Sequence, residues 1–225
     1  MLCIKKHLQI AVLILFCGFI VGCSRSRKAN PIMHLSVISE SDGVGFGTAF
    51  VGRYRNRDFI ITAAHIVRNT DSILINDESG KILSSVSTYI CPNSSDIAIL
   101  FPDKNIEFSH SYKLYGGPIK DNYTLLSIGY AYGLNSLKYS CGRYVANTLI
   151  NIGSCKSETI ATTCELNPGM SGGPLFYKNK VVAINSAIVK PIGIRIAKDK
   201  KSLQLKGLHI SIKELLPTLD RIINK

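Results

Sequence analysis

Tryptophan is absent from the 225 residues, and glycine (18) and proline (8) are too few for a collagen-like or low-complexity chain. Charged residues make up only 19% and hydrophobic residues 46%, which excludes an intrinsically disordered chain and allows a buried core. Acidic side chains are in the minority, because 15 Asp and Glu stand against 27 Lys and Arg. The resulting formal charge of +12 favours acidic partners such as nucleic acid or an anionic membrane surface, and does not bear on the fold.

The sequence also lacks a Cys-x-x-Cys motif and histidines at zinc-site spacing, so we expect no structural metal site. No organic cofactor is implied either. The seven cysteines are Cys3, Cys17, Cys23, Cys91, Cys141, Cys155 and Cys164. The last four allow three disulfide pairings in an exported protein. We favour Cys141–Cys155, because both flank one expected hairpin, and the alternative is that these cysteines are free thiols.

No hydrophobic run is long enough to cross a membrane as a helix, which needs about 20 residues. The longest run, residues 10–21, follows Lys5 and Lys6 and is typical of a signal peptide. It ends in Ile-Val-Gly-Cys (residues 20–23), which resembles the lipobox of bacterial lipoproteins and implies lipidation of Cys23. A simple secretory signal or an uncleaved anchor is the alternative.

From this we expect a signal peptide over residues 1–22 and a basic tether over 23–31. The protein would then be exported and attached to a lipid bilayer of a bacterial cell envelope, without a nucleic-acid partner. Ser24 follows the lipidated cysteine, where Asp would favour the inner membrane. The outer membrane is therefore favoured if the cell is Gram-negative.

The rest of the chain consists of short runs rich in β-branched and aromatic residues, separated by turn residues, which is typical of an all-β sandwich or barrel. The predicted strands are 32–39, 45–52, 58–62, 72–76, 82–90, 97–101, 123–130, 137–146, 158–166, 174–177, 181–188 and 203–212. A break over residues 102–117 divides them into two sets of about six, which places domains at 32–108 and 109–225. Helical periodicity occurs only at the C-terminus, where a helix is predicted to begin near Pro217.

Three segments carry the residue types of nucleophilic catalysis. They are Phe-Ile-Ile-Thr-Ala-Ala-His (59–65), Ser-Asp-Ile-Ala-Ile-Leu (95–100) and Asn-Pro-Gly-Met-Ser-Gly-Gly-Pro (167–174). A serine hydroxyl is a weak nucleophile that needs a general base, and histidine is the usual one. A carboxylate orients that histidine, and glycines allow a tight turn whose N–H groups converge on one point.

These segments resemble the His, Asp and Ser motifs of chymotrypsin-fold serine proteases, in the same chain order. The flanking sequences resemble the bacterial, trypsin-like HtrA (Deg) protease domain, at 45–50, 128–134, 182–187 and 207–211. The resemblance extends over about residues 34–224. It implies two six-stranded antiparallel β-barrels with a C-terminal helix. The sequence ends soon after that helix, so we expect no PDZ domain.

The resemblance also implies roles for individual residues. His65 would be the general base, Asp96 its orienting carboxylate and Ser171 the nucleophile. The N–H groups of Gly169 and Ser171 would form the oxyanion hole, and Ser186 would support the triad. Glycines and a serine in such a turn also occur without catalysis, but the three motifs together favour a catalytic site.

Substrate preference is less well defined by the sequence. Glu165 and His209 are candidates for the S1 pocket, and they predict opposite substrate preferences. Glu165 would favour a basic P1 residue, His209 an acidic one, and HtrA-like enzymes generally take small aliphatic residues. The natural substrate, the P1 preference and the oligomeric state therefore stay open.

The favoured hypothesis is an exported, membrane-anchored serine endopeptidase that hydrolyses proteins or peptides through an acyl-enzyme. A second hypothesis is a catalytically silent lipoprotein that keeps the protease fold for binding. Met170, which stands where many relatives have Asn or Asp, would be compatible with such a loss. An esterase using the same residues is a third.

Overall fold

The computed structural model describes residues 28–92, 95–120, 123–152, 155–188 and 205–225. The expected signal peptide, the lipidation site Cys23 and most of the tether lie outside the described residues. Across the described part of the chain, no helix has the length and hydropathy needed to span a bilayer.

The N-terminal half forms a curled antiparallel sheet. Its strands are β1 Ile32–Ser39, β2 Gly43–Tyr54, β3 Arg57–Thr62, β4 Ser72–Asn76, β5 Ile82–Ser85, β6 Thr88–Ile90, β7 Ala98–Phe101 and β8 Tyr112–Lys113. They are ordered β5-β4-β1-β2-β3-β7-β6, and β8 pairs in parallel with β2. This half is therefore a curled half-barrel sheet, consistent with the N-terminal β-barrel that the resemblance implied.

The C-terminal half is a closed barrel of six strands. These are β9 Thr124–Tyr130, β10 Leu137–Ile152, β11 Cys155–Thr162, β12 Pro174–Tyr177, β13 Lys180–Ile188 and β14 Gly207–Ser211. They close in the order β10-β11-β14-β13-β12-β9. Helix α1 (Ala64–Val67) lies in the first half, and helix α2 (Leu216–Ile223) ends the chain with Pro217 in its first turn. The all-β, chymotrypsin-like fold class with a C-terminal helix is confirmed.

One predicted strand is divided in two. Residues 82–90 bend between β5 and β6, and Asp103 stabilises the bend. Its carboxylate accepts hydrogen bonds from the hydroxyls of Ser85 and Ser87 and from the Ser87 N–H. Val86 in this bend is buried, with only 7% exposed, so the apolar pattern continues through it although the strand does not.

The favoured Cys141–Cys155 disulfide is not formed. In β10, Cys141 lies opposite Leu126 of β9, whereas Cys155 pairs with Ile152 at the other end of the β10–β11 hairpin. At about 3.3 Å per residue, the stretch of β10 from Cys141 to Ile152 is roughly 35 Å long. Cys141 is a free thiol in the structure. The two cysteines do flank a hairpin, but the hairpin is much longer than the sequence indicated.

The two halves share a hydrophobic core. Phe50 and Ile99 from the first half belong to the same buried cluster as Tyr130 and Ile184 from the second, together with Leu219 of α2. The apolar faces of both sheets are thus removed from water against each other, which is the main source of stability for such a pair of layers. Both halves contribute candidate catalytic residues, with His65 and Asp96 in the first half and Ser171 in the second.

Candidate active site

His65 is placed by the end of a buried strand. The last four residues of β3 are buried, and the fully buried Ala63 and Ala64 lead the chain into α1. Two small side chains at this point allow the turn to pack tightly against the rest of the sheet. His65 follows with 36% of its side chain exposed, so its ring lies at the surface next to a buried partner.

That partner is Asp96, whose side chain is only 1% exposed. Its Oδ1 accepts from the His65 main-chain N–H at 2.8 Å, and its Oδ2 lies 2.7 Å from His65 Nδ1. Oδ2 also accepts from the Ser186 hydroxyl at 2.8 Å. Because a carboxylate only accepts, the ring carries its hydrogen on Nδ1 and leaves the Nε2 lone pair free.

The main chain around Asp96 is also fixed. Its N–H donates to the Ser157 hydroxyl at 3.2 Å, and its carbonyl accepts from the Ala64 N–H at 3.2 Å. These two bonds attach the Asp96 segment to β11 on one side and to α1 on the other. The buried carboxylate is thus compensated by three donors and held by its own backbone, as a buried charge requires.

Ser171 lies in a turn that requires a glycine at the next position, 172. Gly172 has φ +85°, and a Cβ there would meet the Thr48 carbonyl oxygen at 2.2 Å. Thr48, in β2, donates its N–H to the Ser171 carbonyl at 2.8 Å and its hydroxyl to the Gly169 carbonyl at 2.9 Å. The turn is therefore fixed to a strand of the other half of the molecule.

The Ser171 hydroxyl donates to the main-chain oxygen of Ser186 at 3.3 Å. Within the described residues, no hydrogen bond joins Ser171 to His65. Ser186 nevertheless connects Asp96 with Ser171, because its hydroxyl donates to the Asp96 carboxylate and its carbonyl accepts from the Ser171 hydroxyl. The structure therefore brings His65, Asp96, Ser186 and Ser171 into one cluster, although His65 and Ser186 are 121 positions apart in the sequence.

Two main-chain donors next to Ser171 have no acceptor in the described part of the chain: the N–H groups of Gly169 and of Ser171 itself. Gly169 has φ +89°, and a Cβ there would lie 2.7 Å from the Tyr130 carbonyl oxygen. This backbone conformation is open to glycine and strained for other residues. Chemically, two unpaired N–H groups beside a hydroxyl can stabilise a negatively charged oxygen.

The two candidates for substrate preference have different surroundings. Glu165 is exposed, and its main-chain N–H donates to the Ser140 hydroxyl at 2.7 Å. His209 is completely buried, with Thr162 Oγ1 2.9 Å from Nε2 and Asn185 Oδ1 2.9 Å from Nδ1. Burial lowers the pKa of His209 to about 3, so the ring is neutral near pH 7.

Sequence reasoning missed Thr48 and Asn185, which both contact the Ser171 turn. Asn185 lies within the buried part of β13, directly after four buried hydrophobic residues, and is 0% exposed. Its side chain donates to the carbonyls of Ile128 and Met170 at 3.0 and 3.1 Å. An amide in a buried strand must have partners, and that requirement was the available signal.

Comparison with known proteins identifies the family of this chain. Residues 47–184 match the family model described as a trypsin-like peptidase domain. The magnetosome formation protease MamE of Magnetospirillum gryphiswaldense is 30% identical over 172 residues, which cover 74% of this chain and 21% of that protein. MamE of Paramagnetospirillum magneticum is 29% identical over 174 residues, covering 73% of this chain and 23% of that protein. The chain thus spans about a fifth of the length of these curated relatives.

Solved structures show the same fold. The HtrA-type protease AlgW with a tripeptide has a TM-score of 0.64 at 23% identity, covering 88% of this chain and 62% of that one. The active form of the Rv3671c protease from M. tuberculosis has a TM-score of 0.68 at 17% identity, covering 86% and 81%. At these identities the likeness establishes the architecture only.

Proposed function

Because the chain belongs to the family of trypsin-like peptidase domains, we propose that it is a serine endopeptidase in which Ser171, His65 and Asp96 act together. The observation that carries the proposal is the 2.7 Å contact between His65 Nδ1 and the buried Asp96 carboxylate, in one cluster with Ser171. A neutral histidine held in this tautomer presents a basic nitrogen on its exposed side. That is what a serine nucleophile requires.

In the proposed reaction, Ser171 Oγ attacks the carbonyl carbon of a peptide bond while His65 Nε2 takes its proton. The tetrahedral intermediate collapses when Nε2 gives that proton to the leaving amine, and an ester to Ser171 remains. Water then attacks the ester, losing a proton to Nε2, which returns it to Ser171 Oγ as the acid product leaves. Substrates are accordingly proteins or peptides, and the balance of protons needs no cofactor.

Asp96 stabilises the imidazolium that forms in both steps, because its carboxylate is buried and already aligned with Nδ1. The N–H groups of Gly169 and Ser171 would donate to the oxyanion of the tetrahedral intermediate. Loss of one such donor typically costs a factor of about 10² to 10³ in kcat. Both donors belong to a turn that Thr48 fixes, so little reorganisation would be needed when charge develops there.

The hydrogen bond from Ser171 to the Ser186 carbonyl favours a second candidate, a catalytically silent binding protein with the same fold. Attack requires the hydroxyl to leave that acceptor and turn towards His65, by rotation about the Cα–Cβ bond of Ser171. Such a rotation between staggered positions is a small change. The endopeptidase therefore stays the favoured function.

We also propose that the protein is exported and attached to a membrane through acylated Cys23, in the manner of a bacterial lipoprotein. The support is the residue pattern of positions 5–23. Mass spectrometry of the N-terminal peptide from native membranes should show a diacylated Cys23, and Cys23→Ser should move the protein to the soluble fraction. An unmodified Cys23 in membrane-derived protein would overturn the anchoring.

A fluorophosphonate probe tests the enzymatic proposal directly. Covalent labelling is expected at Ser171, abolished in Ser171→Ala and strongly slowed in His65→Ala. The exposed Ser87 provides a matched serine-to-alanine control that should label like the native protein. The labelled protein should also cleave members of a peptide library. A protein that hydrolyses simple esters but no peptides would be an esterase. Folded protein that resists the probe would favour the binding protein.

A further inference from the structure

The side-chain amide of Asn185 uses its full hydrogen-bonding capacity. Its nitrogen donates to the carbonyls of Ile128 and Met170, and its oxygen accepts from the Ser127 hydroxyl at 2.8 Å and lies 2.9 Å from His209 Nδ1. Two acceptors lie on one side and two donors on the other. This distribution determines which end of the amide faces the Ser171 turn, although its oxygen and nitrogen are similar in size.

The bond to Met170 bears on the proposed oxyanion hole through the planarity of the peptide. The Met170 carbonyl accepts from Asn185 Nδ2 at 3.1 Å and from the Gly173 N–H at 3.0 Å, inside the molecule. In a trans peptide the C=O and the following N–H point in opposite directions. The same two bonds therefore direct the Ser171 N–H away from the interior, where it has no acceptor among the described residues.

His209 supplies one of the two donors that orient Asn185. The Cys164 N–H donates to Thr162 Oγ1 at 3.0 Å, so the Thr162 hydroxyl is available to donate to His209 Nε2. Nδ1 then carries the ring hydrogen and donates to Asn185 Oδ1. The hydrogen bonds run in one direction, from Cys164 through Thr162, His209 and Asn185 to the Met170 carbonyl. The low pKa of the buried ring agrees with this neutral tautomer.

We propose that Asn185 and His209 are positioning residues that orient the Met170–Ser171 peptide, so that the Ser171 N–H is already aligned for an oxyanion. Without the donor at position 209, the amide of Asn185 can turn over and present its oxygen to the Met170 carbonyl. Two acceptors facing each other repel, and a peptide flip relieves the repulsion by turning the Ser171 N–H inward. The consequence for catalysis rests on the proposed function; the peptide orientation itself does not.

The kinetic test compares His209→Phe, which removes both hydrogen bonds with a ring of similar size, with His209→Gln, which keeps a donor and an acceptor. For a peptide substrate we expect His209→Phe to lower kcat by about 10-fold or more with KM within about twofold, since an oxyanion donor acts in the transition state. His209→Gln should restore most of kcat. His110→Phe, at an exposed position, is the matched control and should behave like the native protein.

A measurement without turnover keeps the test independent of the proposed function. In ¹⁵N-labelled protein, His209 should give the signals of a neutral ring protonated on Nδ1, and the Ser171 amide resonance should move in His209→Phe and return in His209→Gln. If His209→Phe fails to fold, Thr162→Val is the alternative variant. It removes the donor to Nε2 together with the acceptor of the Cys164 N–H, and it should move the Ser171 amide resonance in the same direction.

The outcomes separate the two claims. The native protein could lack peptidase activity while the Ser171 amide resonance still moves in these variants. That result would contradict the proposed function and support the orientation by His209. A folded His209→Phe protein with native kcat, or one with an unmoved Ser171 amide, would overturn the inference. So would a His209→Gln protein as impaired as His209→Phe, because a loss common to both would reflect packing rather than hydrogen bonding.

Discussion

Ser186 donates its hydroxyl hydrogen to Oδ2 of Asp96 at 2.8 Å, on the same oxygen that lies 2.7 Å from His65 Nδ1. The carboxylate is therefore shared between the ring that it orients and a serine of β13. A second donor on the same oxygen restricts its movement and keeps it aligned with the imidazole. The main-chain oxygen of Ser186 meanwhile accepts from Ser171, so one residue of β13 touches two members of the proposed triad.

Removal of the Ser186 hydroxyl should weaken catalysis without abolishing it. A hydrogen bond to a charged group contributes about 1.5 to 3 kcal/mol, so Ser186→Ala is expected to lower kcat/KM by a factor of roughly 10 to 150. Ser186→Thr keeps the hydroxyl and should recover most of the rate. Steady-state kinetics on a peptide substrate measure kcat/KM of both variants. Thermal unfolding is the control for folding. A Ser186→Ala enzyme with native kinetics would show that the bond to Asp96 is dispensable.

Asp96→Asn should have a far larger effect. An amide can donate to His65 Nδ1, which reverses the ring tautomer and leaves no basic nitrogen facing Ser171. In serine proteases with this triad, the same change lowers kcat by about 10⁴. We expect a loss of similar size here, measured as kcat on a peptide. Asp103→Asn, at a carboxylate that only stabilises the β5–β6 bend, should keep native kcat, and equal losses in both variants would contradict the assignment.

Two glycines with positive φ separate backbone strain from steric overlap. At Gly43 (φ +76°) a Cβ meets nothing within 4 Å, so Gly43→Ala should lower the free energy of unfolding by only about 1 kcal/mol. At Gly172 (φ +85°) a Cβ would lie 2.2 Å from both the Thr48 carbonyl oxygen and Thr62 Oγ1. Gly172→Ala should therefore cost clearly more and abolish fluorophosphonate labelling. Urea unfolding measures the free energy of unfolding of both variants. Equal losses in Gly43→Ala and Gly172→Ala would show that the turn can move away from β2 without cost.

The buried His209 should make stability depend on pH. Burial lowers its pKa from 6.5 to about 3, so between these values the unfolded chain binds a proton that the folded protein does not. The free energy of unfolding therefore falls as the pH falls through this range, at up to about 1.4 kcal/mol per pH unit from this group. Above pH 6.5 the ring is neutral in both the folded and the unfolded chain, so His209 no longer lowers the free energy of unfolding.

Urea titrations at a series of pH values measure this slope. His209→Gln should flatten it between pH 6 and about 3.5, because the titrating group is gone. Burial also lowers the pKa of His34, so His34→Gln is the matched control and should remove only its own, separate part of the slope. A His209→Gln protein with the native pH profile would mean that the ring is already protonated in the fold.

The local pattern of side chains was sufficient for much of the secondary structure. The predicted strands 32–39 and 72–76 coincide with β1 and β4, and α2 begins at Leu216, next to Pro217 as expected. These features depend on alternation and on the fixed φ of proline, which neighbouring residues along the chain determine. The three motifs around His65, Asp96 and Ser171 were visible for a similar reason, since each is a short segment.

Contacts between distant segments were decided only by the tertiary structure. The sequence placed Cys141 and Cys155 on one hairpin but not at its opposite ends, because strand length depends on the partners a strand finds. It suggested His209 as a pocket residue, whereas the barrel encloses the ring between Thr162 and Asn185. A buried polar group takes its partners from whatever strands the closed barrel brings beside it. Those partners, 47 and 24 positions away, follow from strand register and not from any local pattern.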